Sequence, residues 1–124
     1  MTTERKTAIV TGAASGLGRA MALGLVGSGM NVVAVDRDTK GLATLQPAGI
    51  GRPGGVLAVT ADLAQPESFE KIVAATLDRF GRIDVLVNNA GIGQASVRAD
   101  HRRQPIRFWD ATPEQWSRFL AVNA

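Results

Sequence analysis

The stretch TGAASGLG, Thr11 to Gly18, sets three glycines between a short apolar run and a helix-like run. A strand entering such a turn and a helix leaving it aim backbone N–H groups at an anion. The helix N-terminus adds about half a positive charge. In that context Gly12 allows the tight turn, Gly16 lets the backbone approach a pyrophosphate, and Gly18 lets the helix pack close to the sheet. Ser15 offers a hydroxyl to a ligand or to the turn, and Leu17 opens the helix. Taken alone the turn is also compatible with an ordinary βα connection. A P-loop is excluded, because no Lys-Ser or Lys-Thr follows the glycines.

Asp36 stands eighteen residues after Gly18, at the end of the next apolar run. A dinucleotide fold places an acid there against the adenosine ribose hydroxyls. Hydrogen bonds to a charged acceptor are worth about 1.5–3 kcal/mol each, and the same charge repels a 2′-phosphate. NAD is therefore expected in preference to NADP, with Arg37 offsetting part of the repulsion. Capping the next helix is the other reading of Asp36. Further along, Asp62 and Asn88-Asn89 follow apolar runs, where each has a structural reading as a cap or a backbone partner. Trp116, Phe119 and Asn123 share one helical face at i, i+3 and i+7, so an amide occupies a position otherwise used for packing. A buried amide needs partners.

Parallel strands joined by crossover helices are the elements that would position these groups. TAIVTG, NVVAVD, GVLAVTAD and IDVLVNNAG are the strand candidates, and their nearly continuous Val/Ile/Leu content suits strands covered on both faces. Leu17 to Ser28 reads as a helix closed by Gly29, and Lys40 to Gln46 as a shorter one. Pro66 to Phe80 is the best defined: Pro66 suits the first turn, Glu67 and Lys71 form an i,i+4 pair, and Gly81 supplies the stop. Phe69, Ile72, Val73, Thr76 and Phe80 make its expected buried stripe. Thr112 and Gln115 form a capping box at the start of a last, long helix. The order βαβαβαβ, loop, α predicts an α/β, Rossmann-like doubly wound parallel sheet with strand order 3-2-1-4.

At 124 residues one domain is expected, spanning 1–124. A hydrophobic content of 45%, a charged content of 20% and a mean hydropathy of +0.05 describe a soluble globular chain. No apolar run approaches a membrane span and the N-terminus does not read as a secretory signal, so a cytoplasmic location is expected, with no membrane partner. The absence of cysteine removes disulfides and thiolate metal sites, and no metal site is expected. The net charge is +3. Much of the basic excess lies in the long loop 92–111, with Arg98, Arg102, Arg103, Arg107 and the one histidine, His101. No aromatic stacking platform is interleaved with these arginines, so nucleic acid is not expected as a partner. Tyrosine is absent, and no lysine follows Lys71.

These segments together resemble the short-chain dehydrogenases/reductases of the classical type. TGAASGLG is similar to the family's cofactor turn, and Ala61-Asp62-Leu63 to its adenine-contacting acid after the third strand. NNAG resembles the segment after the fourth strand, which places Asn89, Ala90 and Gly91 along the adenosine ribose. FLAVNA resembles the start of the helix bearing the family's catalytic asparagine, here Asn123. The resemblance implies an NAD(P)-dependent oxidoreductase that moves hydride between nicotinamide and an alcohol or carbonyl substrate, commonly as an oligomer. It also implies a serine, a tyrosine and a lysine as catalytic partners. Of that set only Asn123 has a counterpart here, so the chain reads as the cofactor-binding half of such an enzyme, incomplete at the C-terminus. The alternatives are a non-catalytic NAD-binding module and a fragment lacking the Ser/Tyr/Lys residues. The apolar fourth strand expects a fifth beside it, and the basic loop is expected to border the active site of a complete enzyme and to favour an anionic substrate.

Overall fold

The computed structural model describes residues 5–90, 112–115 and 117. Four strands, β1 (Thr7–Thr11), β2 (Asn31–Asp36), β3 (Val56–Thr60) and β4 (Val85–Val87), form one parallel sheet in the order β3-β2-β1-β4. Between them run α1 (Gly16–Gly27), the short helices α2 (Thr39–Leu42) and α3 (Leu45–Gly49), and α4 (Glu67–Phe80). This is the Rossmann-like α/β arrangement expected from the alternation of elements.

Side chains on successive strand residues point to opposite faces, so the two central strands feed two separate cores. Val10, Val32 and Ala34 pack with Ala22 and Val26 of α1 and with Leu42 and Leu45 of α2 and α3. Ile9, Val33 and Val35 pack with Val59, Ala61 and Ile72 of α4. All of β1 and the four inner residues of β2 are buried. The outer strands differ from expectation. In β3 only Val59 is buried, and in β4 Val85 and Leu86 are exposed. Their apolar composition reflects parallel pairing, but each is an edge of the described sheet and lacks the second neighbour that closes a central strand.

Two helical expectations are also corrected. The stretch read as one helix over Lys40 to Gln46 is broken into α2 and α3, because Asp38 caps α2 by accepting from the Gly41 N–H at 3.1 Å and the chain then turns at Ala43-Thr44. On α4 the covered face is Ser68, Ile72 and Thr76, whereas Phe69 and Val73 are 54% and 43% exposed. Ile72, Thr76 and the partly buried Phe80 keep their expected places, while Ser68, whose hydroxyl donates to the Asp62 carbonyl at 2.6 Å, is covered in place of Phe69 and Val73. Pro66 sits at the N-cap of α4, one residue before the expected first turn, and Gly81 closes the helix in the left-handed conformation.

Residues 1–90 and 91–124 make two compact units. In the second, the Thr112 N–H donates to Gln115 Oε1 at 2.8 Å and the Gln115 N–H to Thr112 Oγ1 at 3.2 Å, so the capping box is formed. Gly91, the loop 92–111, Trp116, Phe119 and Asn123 lie outside the described residues.

Candidate functional site

The site is built where β1, β2 and β4 end side by side. In the turn after β1, Gly12 and Gly16 have φ of +67° and +58°, conformations that an L side chain strains to adopt. A Cβ at Gly12 would stand 2.9 Å from Asn89 Nδ2 and 3.0 Å from Ala90 Cα, and one at Gly18 would stand 2.6 Å from Asn89 Nδ2. Gly12 and Gly18 are thus filled from behind by the chain leaving β4. Gly16 is the opposite case, with nothing within 4 Å of where its Cβ would be. Ser15 is the N-cap of α1, but its hydroxyl makes no cap hydrogen bond and the residue is exposed. Leu17 is 69% exposed. The turn therefore has a packed back and an open front, and the front carries the α1 N-terminus, a free-standing hydroxyl and a residue without a side chain.

Thr11 locks the turn to the β4 exit. Its hydroxyl accepts from the N–H groups of Asn89 and Ala90 at 3.0 and 2.9 Å and donates to the Val87 carbonyl at 3.4 Å. The Asn89 amide returns the tie, donating from Nδ2 to the Thr11 carbonyl at 3.2 Å and to the Gly12 carbonyl at 3.4 Å. Asn88, by contrast, is exposed.

Asp36 ties the β2 exit to the same turn. Oδ2 accepts from the Ala14 N–H at 3.0 Å and Oδ1 from the Asp38 N–H at 3.0 Å, while the Ala13 N–H donates to the Val35 carbonyl at 3.1 Å. Asp36 is not the helix cap, a task that falls to Asp38. Its carboxylate remains partly exposed beside the turn, and an ionised carboxylate has acceptor sites for about four hydrogen bonds.

Past β3, Asp62 Oδ1 accepts from the Ala64 N–H at 3.0 Å and its carbonyl receives Ser68 Oγ, so this acid shapes the loop before α4. Leu63 packs partly buried against the α4-side core. Arg37, Thr60, Asp62, Glu67, Ser68 and Lys71 line a cavity of about 430 Å³ outside the ends of β2 and β3. Lys71 does not serve its expected i,i+4 partner: its ammonium donates to the Thr60 carbonyl at 2.6 Å.

The structure thus brings together Gly12, Ser15, Gly16, Leu17, Gly18, Asp36, Asn89 and Ala90 at the ends of three adjacent strands, with Arg37, Asp62 and Leu63 on the β3 side. Gly91 and Asn123 are outside the described residues. Thr11 and Lys71 carry no site role in the sequence reading. A threonine as the last residue of a strand is the one signal that marks Thr11, and nothing local marks Lys71. Among the described residues no group of three or more His, Asp and Glu could hold a metal ion, and no helix is long and apolar enough to cross a membrane.

This geometry fits a dinucleotide on the residues themselves: an open glycine and helix N-terminus for a diphosphate, and a carboxylate one strand away for a ribose. Comparison with known proteins identifies the family. The family model described as short chain dehydrogenase matches residues 6–124. The chain is 44% identical over 107 residues to a 3-oxoacyl-[acyl-carrier-protein] reductase from Synechocystis, covering 86% of this chain and 42% of that protein. Among solved structures, a metagenomic short-chain oxidoreductase in complex with NADP superposes with a TM-score of 0.81 at 30% identity, over 95% of this chain and 49% of that one. A 3-ketoacyl-(acyl-carrier-protein) reductase from Brucella melitensis complexed with NADH gives 0.79 at 37% identity, over 97% and 44%. The chain spans less than half the length of each of these relatives.

Proposed function

The chain belongs to the short-chain dehydrogenase family, and on that premise we propose that residues 5–90 bind the adenosine diphosphate portion of a nicotinamide dinucleotide. One observation carries this reading: Gly12 is closed from behind by Asn89 and Ala90 and Gly18 by the Gly12 carbonyl and the Asn89 amide, while Gly16, at φ +58°, faces open space at the start of α1. The main-chain N–H groups of the turn hold the diphosphate there. Asp36 accepts from the adenosine ribose hydroxyls, which favours NAD over NADP, and Asp62, Leu63 and Ala90 border the adenosine.

The function this supports is hydride transfer between nicotinamide and an alcohol or carbonyl substrate, with this chain carrying the cofactor-binding half. A bound nicotinamide supplies or accepts the hydride; the residues here bind it, orient it and exclude water from its adenosine end. The 124 residues hold no tyrosine, so they do not themselves supply the phenolic acid that the resemblance implies. Asn123 is the one member of the catalytic set they offer. A second reading is a dinucleotide-binding module without catalysis of its own, and a carbonyl-reduction assay separates the two.

Titration of the chain with NADH, followed by nicotinamide fluorescence, tests the binding reading. Saturation below millimolar concentration is expected. Gly16→Asn, a residue that tolerates positive φ, puts a side chain where the diphosphate lies and is expected to abolish it while leaving the fold's circular dichroism unchanged. A chain that folds and ignores both NADH and NADPH would refute the proposal.

A further inference from the structure

We infer that Lys71, on α4, is a specificity-determining residue of the cofactor site, a cation that draws a phosphate on the adenosine 2′ oxygen into the cavity outside β2 and β3. The inference rests on the dinucleotide reading and goes beyond it, because the strand-end acid and its neighbour Arg37 are both on β2 or just after it, whereas Lys71 comes from α4, the helix that follows the edge strand β3.

Three observations carry it. The cavity is large enough for a phosphate with its water, at about 430 Å³, and it is lined by Arg37, the residue that follows Asp36. Lys71 lines the same cavity, with its ammonium held at the β3 end by the Thr60 carbonyl, 2.6 Å away. An ammonium has three donors, and one hydrogen bond to a carbonyl fixes its position without spending its charge. The third observation concerns Asp36. Both of its oxygens already accept backbone N–H groups, from Ala14 and Asp38, each at 3.0 Å. Those two dipoles offset part of the field that would repel a 2′-phosphate.

The opposing charges in the cavity belong to Asp62 and Glu67. Asp62 Oδ1 is engaged by the Ala64 N–H, and Glu67 is in the first turn of α4, where the helix dipole favours its charge. A dianionic phosphate between Arg37 and Lys71 gains from two cations. The ribose hydroxyls of NAD gain from neither. Asp36 therefore sets the preference for NAD, and Lys71 sets how far NADP falls behind.

AMP and adenosine 2′,5′-bisphosphate differ only in the 2′-phosphate, so calorimetric titration of the 124-residue chain with each isolates the effect. Lys71→Gln is expected to weaken the bisphosphate about fivefold to tenfold and to leave AMP within twofold, with Lys71→Arg close to the parent. The parent's affinity for the bisphosphate is expected to fall more steeply with salt than that of Lys71→Gln. Equal weakening of both ligands would assign Lys71 a structural role through Thr60 and overturn the inference, as would no change in either. Failure of the parent chain to bind AMP or NADH at millimolar concentration would remove the dinucleotide reading itself, and the inference with it.

Discussion

Thr11 shows how much of a binding site is a matter of single polar atoms. Its buried hydroxyl is the common acceptor for two N–H groups of the β4 exit; without that oxygen the Asn89 N–H keeps only the Val87 carbonyl at 3.1 Å and the Ala90 N–H loses its acceptor. An unmet buried donor costs about 1–3 kcal/mol. Thr11→Val is therefore expected to lower stability in urea by about that amount and to weaken NADH binding roughly tenfold, as the loop bearing Asn89 and Ala90 loosens from the turn. Thr11→Ser keeps the oxygen and is expected to recover most of both. Equal NADH affinity in Thr11→Val and the parent would mean that the lock contributes nothing to the cradle. At this scale the glycines and Asp36 were legible in the sequence because turn geometry and strand-end position restrict the residue type. The role of Thr11 was not, since a strand-terminal threonine acquires partners only when a strand more than seventy residues later pairs alongside it.

Helix α4 shows the same division one level up. Its limits follow from Pro66 and Gly81, which act within the chain and need no neighbour. Its buried face keeps Ile72 and Thr76 as expected but is extended by Ser68, which donates to the Asp62 carbonyl, a contact that hydrophobic periodicity does not register. Ile72 is 4% exposed in the α4-side core, and Val73 beside it is 43% exposed. Ile72→Ala is expected to cost about 2–5 kcal/mol. Val73→Ala is expected to cost less than about 1 kcal/mol. Chemical denaturation of the two variants decides it, and equal losses would show that α4 uses the broader stripe expected from sequence. The α2–α3 break has a similar origin: Asp38 caps a helix of four residues, and a propensity reading smooths over so short an element.

At the scale of the whole molecule the sheet is held together by links between residues far apart in sequence. The Thr7 N–H donates to Asp84 Oδ2 and the Asp84 N–H to the Thr7 carbonyl, at 2.8 and 2.9 Å, which joins the start of β1 to the approach of β4. The Arg82 guanidinium hydrogen-bonded to Asp84, and then the Thr7 N–H, hold this carboxyl below its ordinary value of 3.8. A depressed carboxylate contributes stability that is complete above the unfolded value and is lost as pH falls through the folded one. The parent is thus expected to lose more stability than Asp84→Asn as pH is lowered through and below 3.8, by a margin that shrinks with added salt. Parallel acid titrations of the two, followed by circular dichroism, read this difference, and superimposable curves would show that the link does not favour the folded state.

Apolar runs, glycine positions and strand-end acids sufficed for the α/β class, the strand order and the location of the glycine turn, because each is a property of consecutive residues under backbone sterics and hydrophobic burial. Tertiary structure alone decided that α4 buries Ser68 in place of Phe69, that Asn89 serves the glycine turn from behind, and that Lys71 shares a cavity with Arg37. The physical reason is common to all three. Each depends on side chains meeting across strands or helices distant in sequence, and the energy of such a meeting exists only once the sheet has brought the partners together.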